Sequence, residues 1–127
     1  MSRHGPLLVK KCCGYLAHYW ARMDHAWKAR PDCRTILKKK PSVSLEKFYF
    51  DTIAFDPGML KQLVERFGAG HVLLGTDYPY DMGVEDPVGF INKVKKLSAA
   101  DKARIMGGNA AKLLGISSSS KRSARRT

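Results

Sequence analysis

The segment that most constrains the fold is residues 72–83, which read Val-Leu-Leu-Gly-Thr-Asp-Tyr-Pro-Tyr-Asp-Met-Gly. Its first three residues form an uninterrupted apolar run, which is typical of a buried strand in a parallel sheet. Pro79 prevents further sheet pairing because proline has no backbone N–H to donate. Asp77 therefore emerges where a buried strand ends. In α/β barrels this position holds metal ligands and catalytic groups, although an Asp here also commonly does no more than form a turn.

The rest of the chain alternates between helical and extended patterns. Aromatic and apolar residues recur every three or four positions over 14–29, which predicts an amphipathic helix. The aromatic segment 45–52 predicts a second strand. Asp56-Pro57 and Asp86-Pro87 each place an N-cap residue before a proline at the first helical position. The order of helix, strand, helix, strand and terminal helices predicts parallel strands joined by crossover helices.

Local signals also predict the core face of one helix and two further helix starts. Ser98 begins a variant capping box, and Asn109 is expected to cap a last helical turn. The helix that begins after Asp56 has an apolar stripe that is expected to face the core: Met59, Leu60, Leu63, Val64 and Phe67.

The chain is too short for the fold that its pattern indicates. Two parallel strands leave both sheet edges unpaired, and a closed (β/α)8 barrel needs ~250 residues, whereas this chain has 127. We therefore predict an α/β fold that is the carboxyl-terminal portion of a (β/α)8 barrel, incomplete in this chain. Residues 1–21 are expected to form an irregular amino-terminal segment, 22–116 the barrel portion, and 117–127 a Ser-rich, basic, disordered tail.

The net charge of +12 raises the possibility of a nucleic-acid partner. Part of this charge lies in the tail, which holds Lys121, Arg122, Arg125 and Arg126. A run of like charges is more often simply solvated, so non-specific polyanion binding is expected through the tail alone.

The sequence also bears on location. No apolar run approaches the ~20 residues of a membrane span, and the amino terminus has no signal-segment pattern. The three cysteines include no Cys-x-x-Cys pair, which agrees with a reducing compartment. We expect a cytoplasmic chain with no membrane partner.

Several motifs together resemble a known family. Their order resembles the carboxyl-terminal part of the amidohydrolase-related metal-dependent decarboxylases, over residues 22–116. The motifs are Arg22-Met-Asp-His25, Phe48-Tyr-Phe-Asp-Thr52, Asp56-Pro57, Leu73-Leu-Gly-Thr-Asp-Tyr-Pro-Tyr-Asp-Met-Gly83 and Gly108-Asn-Ala-Ala-Lys-Leu-Leu-Gly115. The resemblance implies removal of carbon dioxide from an unsaturated or aromatic carboxylic acid, a small-molecule substrate, by an enzyme of a family that is often homodimeric.

The resemblance also implies roles for three residues. Asp77 would be a ligand of the single divalent metal, which is zinc in most relatives and manganese in some. Arg22 would grip a substrate carboxylate through its bidentate guanidinium. His4 would act as the acid/base. Metal binding would orient the acid, and protonation of the reacting carbon would precede loss of the carboxyl group.

The chain departs from the family pattern in its histidines. The His-x-His metal pair and a further histidine ligand have no counterpart, while His25 and His71 are expected to be structural. Asp77 alone cannot hold a divalent cation at useful affinity. We therefore expect the chain by itself to bind no metal and to be inactive.

Two other functions are compatible with the sequence. A metal-dependent hydrolase of a lactone or an amide would use the same fold. A non-catalytic, basic nucleic-acid-binding module would account for the charge, although the chain has neither a paired Cys/His finger nor an RNA-recognition aromatic pattern.

Overall fold

A computed structural model describes residues 13–116, with the side chains of 15–116. The predicted acid/base residue His4 and the predicted tail lie outside the described residues. The elements follow in the order α1 (Cys13–Ala29), a 3-10 turn (Pro31–Arg34), α2 (Pro41–Leu45), β1 (Phe50–Asp51), α3 (Pro57–Phe67), a 3-10 turn (Ala69–His71), β2 (Val72–Leu73), α4 (Pro87–Lys93), α5 (Ala99–Ala103), a π-helical turn (Arg104–Gly108) and α6 (Asn109–Leu113).

The two strands confirm the predicted parallel pairing. Phe50 of β1 lies opposite Val72 of β2 in the parallel ladder, and both side chains are fully buried. Each strand is shorter than predicted, because its flanking residues take up helical turns. Proline at the first helical position starts α2, which includes Leu45,. The 3-10 turn before β2 includes His71, the first residue of the strand that the sequence predicts over 71–75.

The core lies between the sheet, the helix α3 that connects its strands and the helical segments that follow β2. It is formed by Phe50, Leu60, Leu63, Val64, Ala69, Val72, Ile91, Val94 and Ile105. Three of the five residues predicted to line α3 belong to this core, and Phe67 packs against its edge. The prediction for Met59 is wrong, because this residue lies near the amino end of α3 and is exposed.

The predicted helix starts are confirmed by side-chain caps. The Asp56 carboxylate accepts a hydrogen bond from the Met59 backbone N–H at 2.9 Å, and Asp86 accepts one from Gly89 at 2.8 Å. The Ser98 hydroxyl accepts one from the Asp101 N–H at 3.0 Å. These caps satisfy backbone N–H groups that lack a partner within the helix.

Helix α1 confirms the helix predicted for residues 14–29. The predicted division between residues 21 and 22 falls inside it, and that division stays a prediction. The Asp24 carboxylate anchors α1 to α2, since it accepts hydrogen bonds from the backbone N–H and the hydroxyl of Ser42 at 3.0 and 2.7 Å. No helix among residues 13–116 is long and apolar enough to cross a membrane.

Asn109 has a different role from the predicted one. It does not cap α6. Its side-chain amide is buried and donates hydrogen bonds to the carbonyl oxygens of Ala69 at 2.6 Å and Val72 at 2.8 Å. The residue therefore fastens α6 to the start of β2, because two backbone acceptors across the core bind its N–H groups.

We expect Asn109→Ala to lower the free energy of unfolding by about 2–4 kcal/mol, because two buried carbonyl groups lose their donor. Chemical denaturation of the full chain measures this change. The matched control is Asn92→Ala, at an exposed position on α4, which should change stability by less than about 0.5 kcal/mol. Equal effects of the two substitutions would contradict the anchoring role of Asn109.

Candidate metal and substrate site at the carboxyl end of the strands

The carboxyl ends of β1 and β2 are held together by Thr52. Its side chain is fully buried, and its hydroxyl oxygen accepts a hydrogen bond from the Gly75 N–H at 3.2 Å. A Cβ atom on Gly75 would lie 3.0 Å from the Cβ of Asp51. Glycine at position 75 therefore lets the two strand ends approach closely, and the segments that follow both strands leave from the same edge.

The loop after β2 folds back onto the strand end. The Val84 N–H donates to the Thr76 carbonyl at 2.8 Å, and the Tyr80 N–H donates to the Asp77 carbonyl at 3.0 Å. A Cβ atom on Gly83 would lie 2.8 Å from the Thr76 carbonyl oxygen, so this close return requires glycine. These contacts fix the backbone on both sides of Asp77.

Asp77 has a side-chain oxygen, Oδ1, that is buried without a hydrogen-bond partner among the described residues. The backbone at Asp77 is left-handed, with φ of 56°, which Asp tolerates better than most residues. A buried carboxylate oxygen without a donor is costly, and a hard divalent cation would satisfy it. The residue therefore fits the chemistry of one metal ligand.

The charge around Asp77 is negative, although the chain as a whole is basic. No Lys or Arg occurs between residues 67 and 92, whereas this stretch contains the carboxylates of Asp77, Asp81, Glu85 and Asp86. A carboxylic acid substrate would be repelled here. A cation at this edge would offset that repulsion.

Large apolar side chains surround this edge in the two loops. Phe55 follows β1 and is 58% exposed, while Tyr78, Tyr80 and Met82 follow β2 and are also exposed. Phe55 has a left-handed backbone with φ of 56°, which is strained for a bulky residue. Two structured segments flank Phe55 in the chain and hold this conformation. A 2.8 Å backbone hydrogen bond closes the Thr52–Ala54 turn before it, and Asp56 caps the start of α3 after it.

The structure does not bring Arg22 together with Asp77 through any polar contact. Arg22 is exposed on α1 and lines a shallow groove of about 290 Å³ with Tyr15, Tyr19 and Met23. Within residues 13–116 its guanidinium makes no hydrogen bond or ion pair. Its role as a carboxylate-binding residue stays a prediction.

The described part of the chain does not contain a complete metal site. No group of three His, Cys, Asp or Glu residues among positions 13–116 is arranged to hold a metal ion. His25 is exposed on α1. His71 lies before β2, and its Nδ1 is 2.9 Å from the Phe48 carbonyl oxygen, so it belongs to the opposite end of the sheet. Any further ligands of a metal at Asp77 would come from outside this part.

The sequence of the chain matches a known protein family. The profile of the amidohydrolase family matches residues 13–116. The chain belongs to the amidohydrolase family. This result confirms the resemblance of the sequence motifs, which are similar to those of aminocarboxymuconate-semialdehyde decarboxylases.

Two curated relatives of this amidohydrolase chain illustrate the match. A 2-amino-3-carboxymuconate-6-semialdehyde decarboxylase from Dictyostelium discoideum is 38% identical over 96 residues, which are 75% of this chain and 27% of the relative. A protein of the same name from Caenorhabditis elegans is 33% identical over 75% of this chain and 24% of its own length. The chain thus spans about a quarter of the curated relatives it matches.

A solved structure supports the fold. A dihydroxybenzoic acid decarboxylase from Polaromonas sp. JS666, with bound manganese and an inhibitor, matches with a TM-score of 0.66 and 26% identity. The match covers 80% of this chain and 31% of that protein. The predicted fold class is confirmed: the amidohydrolase chain folds as a part of a larger α/β enzyme of this type.

Sequence patterns did not predict the roles of Thr52 and Phe55 at this edge of the sheet. The bridge from Thr52 to Gly75 links positions 23 residues apart, so no local pattern reveals it. The strain at Phe55 depends on the turn that β1 and α3 enclose. One signal for the turn at Phe55 was available in the sequence. Few residues separate the aromatic strand segment from the Asp56-Pro57 helix start, and so short a connection requires a tight turn.

We expect Phe55→Gly to be more stable than Phe55→Ala by about 1 kcal/mol, because a left-handed backbone penalises alanine and not glycine. Both substitutions remove the same exposed ring, so their difference in unfolding free energy isolates the backbone effect. The comparison is repeated at Met59, an exposed position of α3, where alanine should be the more stable by about 0.5–1 kcal/mol. The same order at both positions would contradict the strain at Phe55.

Proposed function

We propose that this amidohydrolase chain contributes the Asp77 edge of a metal-dependent carboxy-lyase that decarboxylates an unsaturated or aromatic carboxylic acid. The observation that carries the proposal is the buried Asp77 Oδ1 atom, which has no donor among residues 13–116 and lies just beyond the end of β2. The names of the relatives support the reaction, since they include decarboxylases of aminocarboxymuconate semialdehyde and of dihydroxybenzoic acid.

Asp77 would be one ligand of a divalent metal, for which zinc is the first candidate and manganese the second. When bound, such a metal supplies positive charge that orients the substrate carboxylate. Manganese in the Polaromonas relative is compatible with a carboxylate oxygen ligand. The ligands that complete the coordination would come from residues outside positions 13–116.

The remaining side chains have roles of binding and proton transfer. The exposed ring of Phe55 and the rings after β2 would provide an apolar wall for an unsaturated or aromatic substrate. Arg22 would bind a substrate carboxylate, and His4 would exchange a proton with the reacting carbon. These assignments rest on the family resemblance and on the apolar side chains in the loops at the carboxyl edge of the sheet.

The proposal extends to the partners and the location of the protein. The substrate is a small carboxylic acid, and the complete enzyme would be a cytoplasmic homodimer. The basic segment 117–127 would bind polyanions non-specifically and take no part in the reaction. The division into 1–21, 22–116 and 117–127 is part of this proposal.

The full chain is expected not to hold Mn²⁺ at useful affinity, because Asp77 supplies a single oxygen ligand. Transient contact at high Mn²⁺ concentration should nevertheless broaden the backbone amide NMR signals of residues 75–78. Asp77→Asn should weaken this effect by about tenfold or more, since it removes the charge and keeps the shape. Asp81→Asn, in the same exposed loop, is the matched control and should leave the broadening unchanged. Broadening that follows Asp81 and not Asp77 would contradict the assignment.

The reaction is tested by replacing the matching segment of the Dictyostelium discoideum relative with residues 13–116 of this chain. The purified chimera should release carbon dioxide from 2-amino-3-carboxymuconate-6-semialdehyde. Asp77→Asn should lower kcat/KM by about 100-fold or more, as expected for loss of charge stabilisation at the reacting group, whereas Asp81→Asn should have little effect. A folded, metal-loaded chimera that opens a lactone without releasing carbon dioxide would favour the hydrolase instead.

A further inference from the structure

The amino ends of the strands border a second cavity, which the proposed reaction does not use. Tyr49 directly precedes β1 and His71 directly precedes β2, so both lie at the end of the sheet opposite Asp77. A cavity of about 790 Å³ opens between these residues and the carboxyl-terminal helical segment that contains Arg104 and Lys112. This volume is large enough for a small organic ligand.

The wall of this cavity is cationic. Arg104 and Lys112 line it, and none of the described residues that line it is acidic. The Arg104 guanidinium forms a solvent-exposed ion pair with the Asp101 carboxylate at 3.7 Å, a distance longer than a hydrogen bond, so its N–H groups are not taken up by Asp101. Lys112 makes no ion pair or hydrogen bond within the described part of the chain. Two positively charged groups therefore have donors available to an anion.

The rest of the wall is held in place by the fold. The ring of His71 stacks on Tyr49 with centroids 5.1 Å apart, and its Nδ1 lies 2.9 Å from the Phe48 carbonyl oxygen. A carbonyl can only accept, so Nδ1 carries the proton and the ring is oriented. The two hydrogen bonds of Asn109 fix α6 against the start of β2. The backbone that carries Arg104 and Lys112, on either side of Asn109, is thus held in place by the fold.

We propose that this cavity is an anion-binding site for the phosphate group of a small phosphorylated molecule. A guanidinium binds a phosphate through two parallel hydrogen bonds, and a nearby ammonium adds a second positive charge. The stacked Tyr49 and His71 rings would contact the organic part of the ligand. A ligand that binds only the folded chain raises its stability, so occupation of this site would stabilise the barrel portion from the end opposite the reaction.

Inorganic phosphate is the probe, and two-dimensional NMR of the full chain is the measurement. Titration at constant ionic strength should produce saturable shifts of the backbone amides of Gly70, Gly108 and Asn109. Arg104→Ala and Lys112→Ala should each weaken phosphate binding by about five- to tenfold, because each removes a charged donor from an exposed site. The spectra also report whether each variant is folded.

Lys95→Ala is the matched control, because Lys95 is an exposed cation that does not line the cavity. It should change the phosphate affinity by less than about twofold. Equal weakening by Lys95→Ala and Lys112→Ala would overturn the proposal, as would shifts that spread over all basic residues without saturating. Shifts reproduced by sodium chloride at the same ionic strength would also overturn it, since they would reflect general screening.

Discussion

The structure depends on the pairing of two very short parallel strands. β1 and β2 contribute two residues each to the ladder, too few to be stable alone. The Thr52 hydroxyl bonds the Gly75 amide at one end, and the Asn109 side chain fastens the Val72 carbonyl at the other. Buried residues of both strands share one core with residues of α3, of α4 and of the turn at 104–108, so the sheet and the helices stabilise each other.

The pairing gives the two ends of the sheet opposite chemistry. Parallel strands all leave from the same edge, so the acidic and aromatic loops meet where Asp77 lies. The amino ends meet the basic carboxyl-terminal helices, which bring Arg104 and Lys112 to the other side. The net charge of +12 does not reveal this separation of acidic and basic groups, because a total charge contains no information on the position of each group.

Residues whose signals are local were predicted well. Asp56, Asp86 and Ser98 cap helices as their sequence contexts indicate, because a cap and its N–H partner are three residues apart. Asn109 also has a short polar side chain that commonly caps helices, but the prediction that it caps α6 was wrong. Its partners lie 37 and 40 residues away in sequence, and Asn109 is the first residue inside α6, not the cap residue that precedes it.

The sequence by itself determined the order of the elements, the parallel sense of the strands, the family and the position of Asp77 just beyond a strand. Each of these follows from hydrophobic periodicity, from turn residues or from a contiguous motif. Only the tertiary structure decided that an Asp77 oxygen is buried with no donor in the described part of the chain, that Phe55 is strained and that two cations line a cavity at the opposite end. These properties depend on which distant residues the fold brings within a few ångströms, and spacing along the chain does not fix those distances.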